Sequence, residues 1–350
     1  MDKKGFNIHS KSPAASQDSA RSTSAASSLA RFLAACLAAA LALALVGCSS
    51  AESSQEAADE SNVETEQATS EEAAASSLES ADYSPSPSFL ESLPSGDGIE
   101  AFSLSGEEAP DIPEDQLAVL EVIVAAIEAD GAEVGFVFYD LESGLGLCYG
   151  ADTSIYGASS FKAPYALYLC EDLAETGLVV LSDTDLALIE AAIIYSNNDA
   201  YVALRDSYDA VDFDSWVASV GAEDASYLDY SHYPWYCARS SAKLWTEMYL
   251  YLQTGSETSQ WLGELLASTE TSFLRSAIAD TGATVWSKAG WCAGSSELYN
   301  STSDAGIVEL DGHTYILSIM TSMPYGDDSV DLYEMLASAL FDVRASLWAE

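Results

Sequence analysis

Between residues 113 and 350, strand-type alternation sits at the two ends and helical periodicity fills the middle. This distribution restricts the fold more than any other feature of the chain. Residues 113–129 place Leu117, Leu120, Val124 and Ile127 at helical spacing. Residues 134–139 and 145–149 come next as strand arms around Asp140-Leu-Glu-Ser-Gly, which predicts a hairpin. Three stretches, 161–173, 183–206 and 242–253, read as helices. Residues 284–291, 302–310 and 314–321 then alternate again, with Asp311-Gly312 as the turn between the last two. A helix over 329–347 closes the chain. The economical arrangement is an α/β (α+β) fold: an antiparallel five-stranded sheet with strands drawn from both ends, flanked by helices, and an all-helical subdomain made from the middle. No internal repeat is visible.

The segment upstream has a different character. Lys3, Lys4, Lys11, Arg21 and Arg31 precede an apolar run over residues 32–47. That run has the length of a signal-peptide core and is short for a membrane span. It ends in Leu45-Val46-Gly47-Cys48, which resembles a bacterial lipobox, with Cys48 as the lipidated first residue of the mature chain. Residues 1–47 are therefore read as a lipoprotein signal peptide. No twin-Arg pair precedes the run, which favours the general secretory route. Residues 48–110 are rich in Ser, Glu and Ala and predict a disordered acidic tether, because they hold too little apolar surface to offset ordering entropy. The expected location is outside the cell, lipid-anchored to the outer face of a bacterial membrane, with residues 111–350 as the working domain.

Charge excludes one class of partner. The 350 residues carry a formal net charge of −44, and only seven Lys or Arg come after Cys48. Nucleic acid needs clustered cations along its phosphates, so it is not an expected ligand. Four cysteines remain beyond the lipid site: Cys148, Cys170, Cys237 and Cys292. An even number in an exported domain permits two disulfides, in any of three connectivities. There is no C-x-x-C, and His232 and His313 are the histidines after Cys48, so no zinc site and no cofactor are expected.

The chemistry lies in residues 158–169, Ala-Ser-Ser-Phe-Lys-Ala-Pro-Tyr-Ala-Leu-Tyr-Leu. Ser159 and Lys162 stand three apart at a helix start, so they share one face. A hydroxyl becomes nucleophilic when a base takes its proton, and a lysine is such a base once burial or a neighbouring cation makes it neutral. The pair alone is weak evidence, since Ser240-Ser-Ala-Lys243 has the same spacing, with Ser240 read as a helix N-cap. Ser159 is distinguished by two triplets downstream of it. One is Ser196-Asn197-Asn198, the only S-x-N in the chain, and the other is Lys288-Ala289-Gly290, the only K-x-G after Cys48.

This ordered set, S-x-x-K, S-x-N and K-x-G, resembles the serine β-lactamase and penicillin-binding-protein superfamily, and within it class A β-lactamases and related serine hydrolases, over about residues 113–350. The resemblance implies an acyl-enzyme on Ser159, activated by Lys162, with Ser196 relaying a proton to the leaving nitrogen. It implies that Asn198 holds the substrate amide and Lys288 its carboxylate. Ala289 and Gly290 would form the strand edge beside the substrate, and the N–H groups of Ser159 and Trp291 the oxyanion hole. The implied partner is a β-lactam or a peptidoglycan stem peptide, handled by a monomer.

Two departures from the family pattern bear on activity. Ala289 stands where the family has a hydroxyl residue, which removes one contact to a substrate carboxylate. The E-x-x-L-N loop, whose Glu activates the deacylating water, has no matching Glu. If Leu228-Asp229 aligns with L-N, the Glu position is Ala225, while Glu223, Asp224 and His232 are out of register. A bridge between Cys237 and Cys292, with Cys148 and Cys170 as the other pair, would brace the rim of such a site.

Overall fold

The computed structural model describes residues 83–129, 131–209, 211–226 and 232–348. The leader, the lipid site Cys48 and the first part of the tether lie outside the described residues, as do Leu228 and Asp229.

Among the described residues, seven strands form one antiparallel sheet. In chain order they are β1 (Glu100–Ser103), β2 (Val134–Asp140), β3 (Leu145–Tyr149), β6 (Thr284–Ser287), β7 (Gly290–Cys292), β8 (Ser301–Leu310) and β9 (His313–Thr321). The spatial order is β1-β3-β2-β9-β8-β6, with β7 also paired to β8. Strands from the start and the end of the domain thus meet at β2 and β9, where Val134 faces Thr321 and Asp140 faces Tyr315. A separate ribbon pairs β4 (Ile155–Tyr156) with β5 (Trp235–Tyr236).

The five expected strands are present, and two corrections apply. The stretch 284–291 is two strands rather than one, broken at Lys288-Ala289. The tether also ends earlier than expected: Pro87–Ser92 is a 3₁₀ turn, and β1 adds to the sheet edge beside β3. Leu90, Leu93 and Phe102 supply the apolar burial that the acidic composition around them obscured.

Both faces of the sheet are covered, which is why β2 is buried along its whole length. Successive residues point to opposite faces. Phe136 and Phe138 join a core under helices α1 (Glu114–Glu128) and α9 (Asp327–Asp342). Val137 and Tyr139 join a second core with helices α2 (Lys162–Tyr168), α6 (Ala238–Gln253) and α7 (Glu257–Ala267). The expected helix over 183–206 is interrupted. Its parts are α3 (Asp183–Ile194), which starts with a Ser182–Asp185 capping box, and α4 (Asn198–Tyr208), capped by Asn197. Between them the backbone at Ser196 turns left-handed, with φ 54°. Two short helices, α5 (Phe213–Ser219) and α8 (Phe273–Ala277), complete the set among the described residues. Cys148, Cys170, Cys237 and Cys292 are free thiols, so neither expected disulfide forms.

The Ser240–Lys243 imitation has a structural use. Cys237, not Ser240, is the N-cap of α6, accepting from the Ser240 N–H. Lys243 is buried and tied to Glu91 and to the carbonyl of Gly221. One turn before it, Arg239 donates to the carbonyls of Leu90 (2.6 Å) and Leu93 (3.3 Å) and to Asp152. These contacts strap residues 90–95 across α6. The Asp152 side chain is 54% exposed, so its ion pair contributes little; the buried carbonyls matter more. Arg239→Ala is expected to lower stability by roughly 2 kcal/mol in urea unfolding and to open residues 83–95 to proteases. Asp152→Asn should cost under about 1 kcal/mol and leave the strap protected.

Candidate active site

The turn that carries Ser159 begins after β4. Ala158 has φ 45°, and a 3₁₀ turn over Ala158–Phe161 feeds directly into α2. Among the described residues, four other than glycine have positive φ: Ala158, Ser196, Asp212 and Asp311. Aspartate tolerates that region, whereas alanine and serine pay about 1–3 kcal/mol to occupy it. Both residues under such strain adjoin the motif residues, one before Ser159 and the other at Ser196 itself. Neighbours hold the turn in place. Ser160 Oγ donates to the Gly157 carbonyl (2.6 Å) and meets the buried Tyr236 hydroxyl (2.7 Å), while the Gly157 N–H donates to the Pro234 carbonyl.

The three motifs converge on Lys162. Its ammonium position is buried, and Nζ donates to the Ser196 carbonyl (2.6 Å) and to Asn198 Oδ1 (2.7 Å), with Ser196 Oγ at 3.4 Å. Both close partners are neutral. Among the described residues no carboxylate pairs with Lys162, so nothing repays desolvation of its charge. Burial first, and the Lys288 cation second, push the Lys162 pKa down to about 7. At pH 7 roughly half the amines are then neutral, against about one in 2,500 for an ordinary lysine. A neutral amine has two N–H bonds and one lone pair. The two close acceptors take both N–H bonds and leave the lone pair for a hydroxyl proton. Ser159 is half-buried on the same helical face, and among the described residues no side-chain hydrogen bond occupies its Oγ.

Lys288 enters from the break between β6 and β7. Its Nζ donates to Ser196 Oγ (3.1 Å) and to the Ala289 carbonyl (2.9 Å), so Ser196 Oγ stands between the two lysines. Burial pushes the Lys288 pKa down to about 8, partly offset by Asp304. Gly290 passes so close to the nucleophile turn that a Cβ there would overlap the Ser160 nitrogen and the Gly157 oxygen. This close approach explains why the third motif needs glycine. Ala289 is fully buried, and the Trp291 ring lies 5.5 Å from Lys288 Nζ. Ser159, Lys162, Ser196, Asn198, Lys288, Ala289, Gly290 and Trp291 therefore occupy one neighbourhood built from α2, the α3–α4 break and β7.

Two residues here escaped the sequence reading. Asp304 on β8 is fully buried, accepts from Ser272 Oγ (3.1 Å) and the Leu274 N–H (3.2 Å), and has a pKa raised by burial to about 6. Its signal was an acid amid the small and apolar residues of β8. Tyr233 donates to Asn198 Oδ1 (2.9 Å), and its ring lies 5.8 Å from Lys162 Nζ. Nothing distinguished it from the other tyrosines of its loop. The loop acids take other roles. Asp224 accepts the Cys237 N–H (2.9 Å), Glu223 is exposed, and Ala225 is buried. His232 lies 3.3 Å from Asp206 and turns its carbonyl to Tyr201 and Arg205.

Comparison with known proteins bears on the fold. Residues 184–343 match the model of the Beta-lactamase enzyme family, a span that includes Ser196, Asn198, Lys288 and Gly290 and begins after Ser159 and Lys162. The fold is similar to that of PBP-A, at 20% identity over 69% of this chain and 100% of that one, with a TM-score of 0.56. It is also similar to a β-lactamase from Sphaerobacter thermophilus, at 18% identity over 67% of this chain and 99% of that one, with a TM-score of 0.54. A PBP-A mutant, solved as an acyl-enzyme complex with penicillin G, matches at 20% identity over 66% of this chain and 97% of that one, with a TM-score of 0.55. No curated protein sequence matches the chain. The fold is that of β-lactamase-like serine hydrolases, and the resemblance to the serine β-lactamase and penicillin-binding-protein superfamily holds.

Gly290→Ala tests the close approach directly. The added methyl meets backbone on both sides, so the turn must move; a stability loss of about 1–3 kcal/mol is expected in urea unfolding, with displacement of Ser159 in a crystal structure. An unperturbed turn and unchanged stability would contradict the geometry.

Proposed function

We propose that this chain is an active-site serine hydrolase that acylates Ser159 with amide substrates of the β-lactam or D-alanyl peptide type and releases the acyl group slowly. The observation that carries the reading is Lys162 buried against two neutral acceptors, three residues after Ser159 on the same helical face. The Ser159 hydroxyl proton passes to Lys162 Nζ as Oγ attacks the substrate carbonyl. The N–H groups of Ser159 and Trp291 receive the developing oxyanion. Ser196 Oγ, between Lys162 and Lys288, delivers a proton to the leaving nitrogen as the C–N bond breaks. Asn198 holds the substrate amide, and Lys288 attracts a substrate carboxylate.

Release of the acyl group needs a second base to activate water, and among the described loop residues Glu223, Asp224 and His232 do not hydrogen-bond to Ser159 or Lys162. If Leu228-Asp229 aligns with L-N, the Glu position is Ala225, which is buried, and Asp224 accepts the Cys237 N–H. This favours a persistent acyl-enzyme over rapid antibiotic turnover. The lipobox at Cys48 and the leader before it support lipid anchoring outside the membrane, within reach of peptidoglycan stem peptides.

Intact-mass spectrometry of the protein incubated with a fluorescent penicillin tests the reading. One adduct on Ser159 that persists for many minutes and is absent from Ser159→Ala is expected. Rapid loss of the adduct with destruction of antibiotic would show efficient deacylation, and no adduct at all would leave a binding protein. The acylation rate should also rise with pH through about 7, as Lys162 loses its proton. In Lys288→Ala one cation beside Lys162 is gone, so the midpoint should move to higher pH, whatever the loss in amplitude.

A further inference from the structure

A second cluster of chemistry-bearing side chains lies at the opposite end of the sheet. Asp140 ends β2, Glu142 stands in the β2–β3 turn, and His313 begins β9. One ligand atom from each lies within 4.8 Å of the other two. Asp140 is fully buried, and its Oδ1 accepts the N–H groups of Glu142 (2.7 Å) and Ser143 (3.2 Å). That leaves Oδ2 for His313 Nδ1 at 2.7 Å. Glu142 Oε2 accepts the Thr314 N–H (2.9 Å). The His313 ring stacks on Trp348 at 4.9 Å and 15°, and Trp348 donates to the Tyr315 hydroxyl (2.7 Å). Each of the three side chains is thus oriented by a contact outside the trio, as the ligands of metal sites are.

Charge and polarity argue the same way. When ionised, the two carboxylates bring two negative charges against at most one on the imidazole. The Tyr83 hydroxyl is buried without a hydrogen-bond partner, and its pKa is raised by burial first and by the charges of Asp140 and Glu142 next.

We propose that Asp140, Glu142 and His313 form a site for a first-row divalent cation, zinc or manganese in character. One imidazole nitrogen and two carboxylate oxygens are donors suited to such ions. Three protein ligands leave room for water to complete the sphere. The site would clip three separate parts of the chain: the β2–β3 turn, the start of β9 and, through the His313 stack, Trp348 near the C-terminus. It lies far from Ser159 and is independent of the acylation reading. It also departs from the expectation of no metal, which counted cysteines and histidine motifs, whereas these carboxylates meet the histidine only in the folded sheet.

The test is titration of the metal-stripped full chain with ZnCl2 and MnCl2 by calorimetry, with Trp348 fluorescence as a second readout. One equivalent is expected to bind, changing the emission in wild type but not in Trp348→Phe, and raising the melting temperature. His313→Ala and Glu142→Gln, separately, should weaken that binding by at least 10-fold. Because thiols elsewhere also take zinc, the comparison that counts is between wild type and variants. Equal binding in all three proteins, or no saturable binding of either ion in wild type, would overturn the proposal.

Discussion

The Lys162 amine, buried between a backbone carbonyl and a side-chain amide, is the constraint on which the rest of the site depends. Holding a lysine there at a pKa of about 7 corresponds to roughly 5 kcal/mol against its charged form. A carboxylate in the same place would restore the charge and remove the base. The fold therefore supplies acceptors without charge: the Ser196 carbonyl, freed by the break between α3 and α4, and Asn198 at the first position of α4. The left-handed backbone at Ser196 makes the break possible. Lys288 adds a second cation close enough to matter and shares Ser196 Oγ with Lys162. Lys162, Ser196 and Lys288 are one hydrogen-bonded group rather than three separate residues.

The order of the motifs was legible because chemistry demanded particular residues in a chain poor in lysine. With three lysines after residue 11, Lys162 and Lys288 could hardly be placed by accident, and the imitation at Lys243 proved to be a strap anchor. Sheet and helix order were legible because both cores obey the ordinary periodicities. The features that were missed have physical causes. The α3–α4 break is invisible to periodicity, because apolar spacing continues through it while the backbone reverses at one residue. β1 and the Pro87–Ser92 turn were hidden in acidic, Ser-rich composition, their order depending on a few apolar residues and on Arg239, distant in sequence. The cysteines could not be read as free thiols, since an even number in a chain read as exported fits bridges equally well. Asp304 and Tyr233 act through tertiary contacts that no local pattern encodes.

The two halves of the proposed hydrolytic cycle are unequally supported. Lys162, Ser196, Asn198 and Lys288 are hydrogen-bonded together, and Gly290 lets β7 approach the strained turn before Ser159. The loop that would carry a deacylating carboxylate instead uses Asp224 to anchor α6 and buries Ala225. On the proposed reading, a Ser–Lys site whose described loop acids are engaged elsewhere or exposed is suited to capturing an acyl group and keeping it.

Direct titration of Lys162 tests the central claim most closely. With ¹³C-labelled lysine side chains, few signals arise beyond Lys162, Lys243 and Lys288, and Lys162→Arg identifies the one of interest. A midpoint near 7 in the uncomplexed protein is the expected result. A midpoint near 10.5, the value of an unperturbed lysine, would mean that Lys162 is charged at neutral pH and cannot take the Ser159 proton.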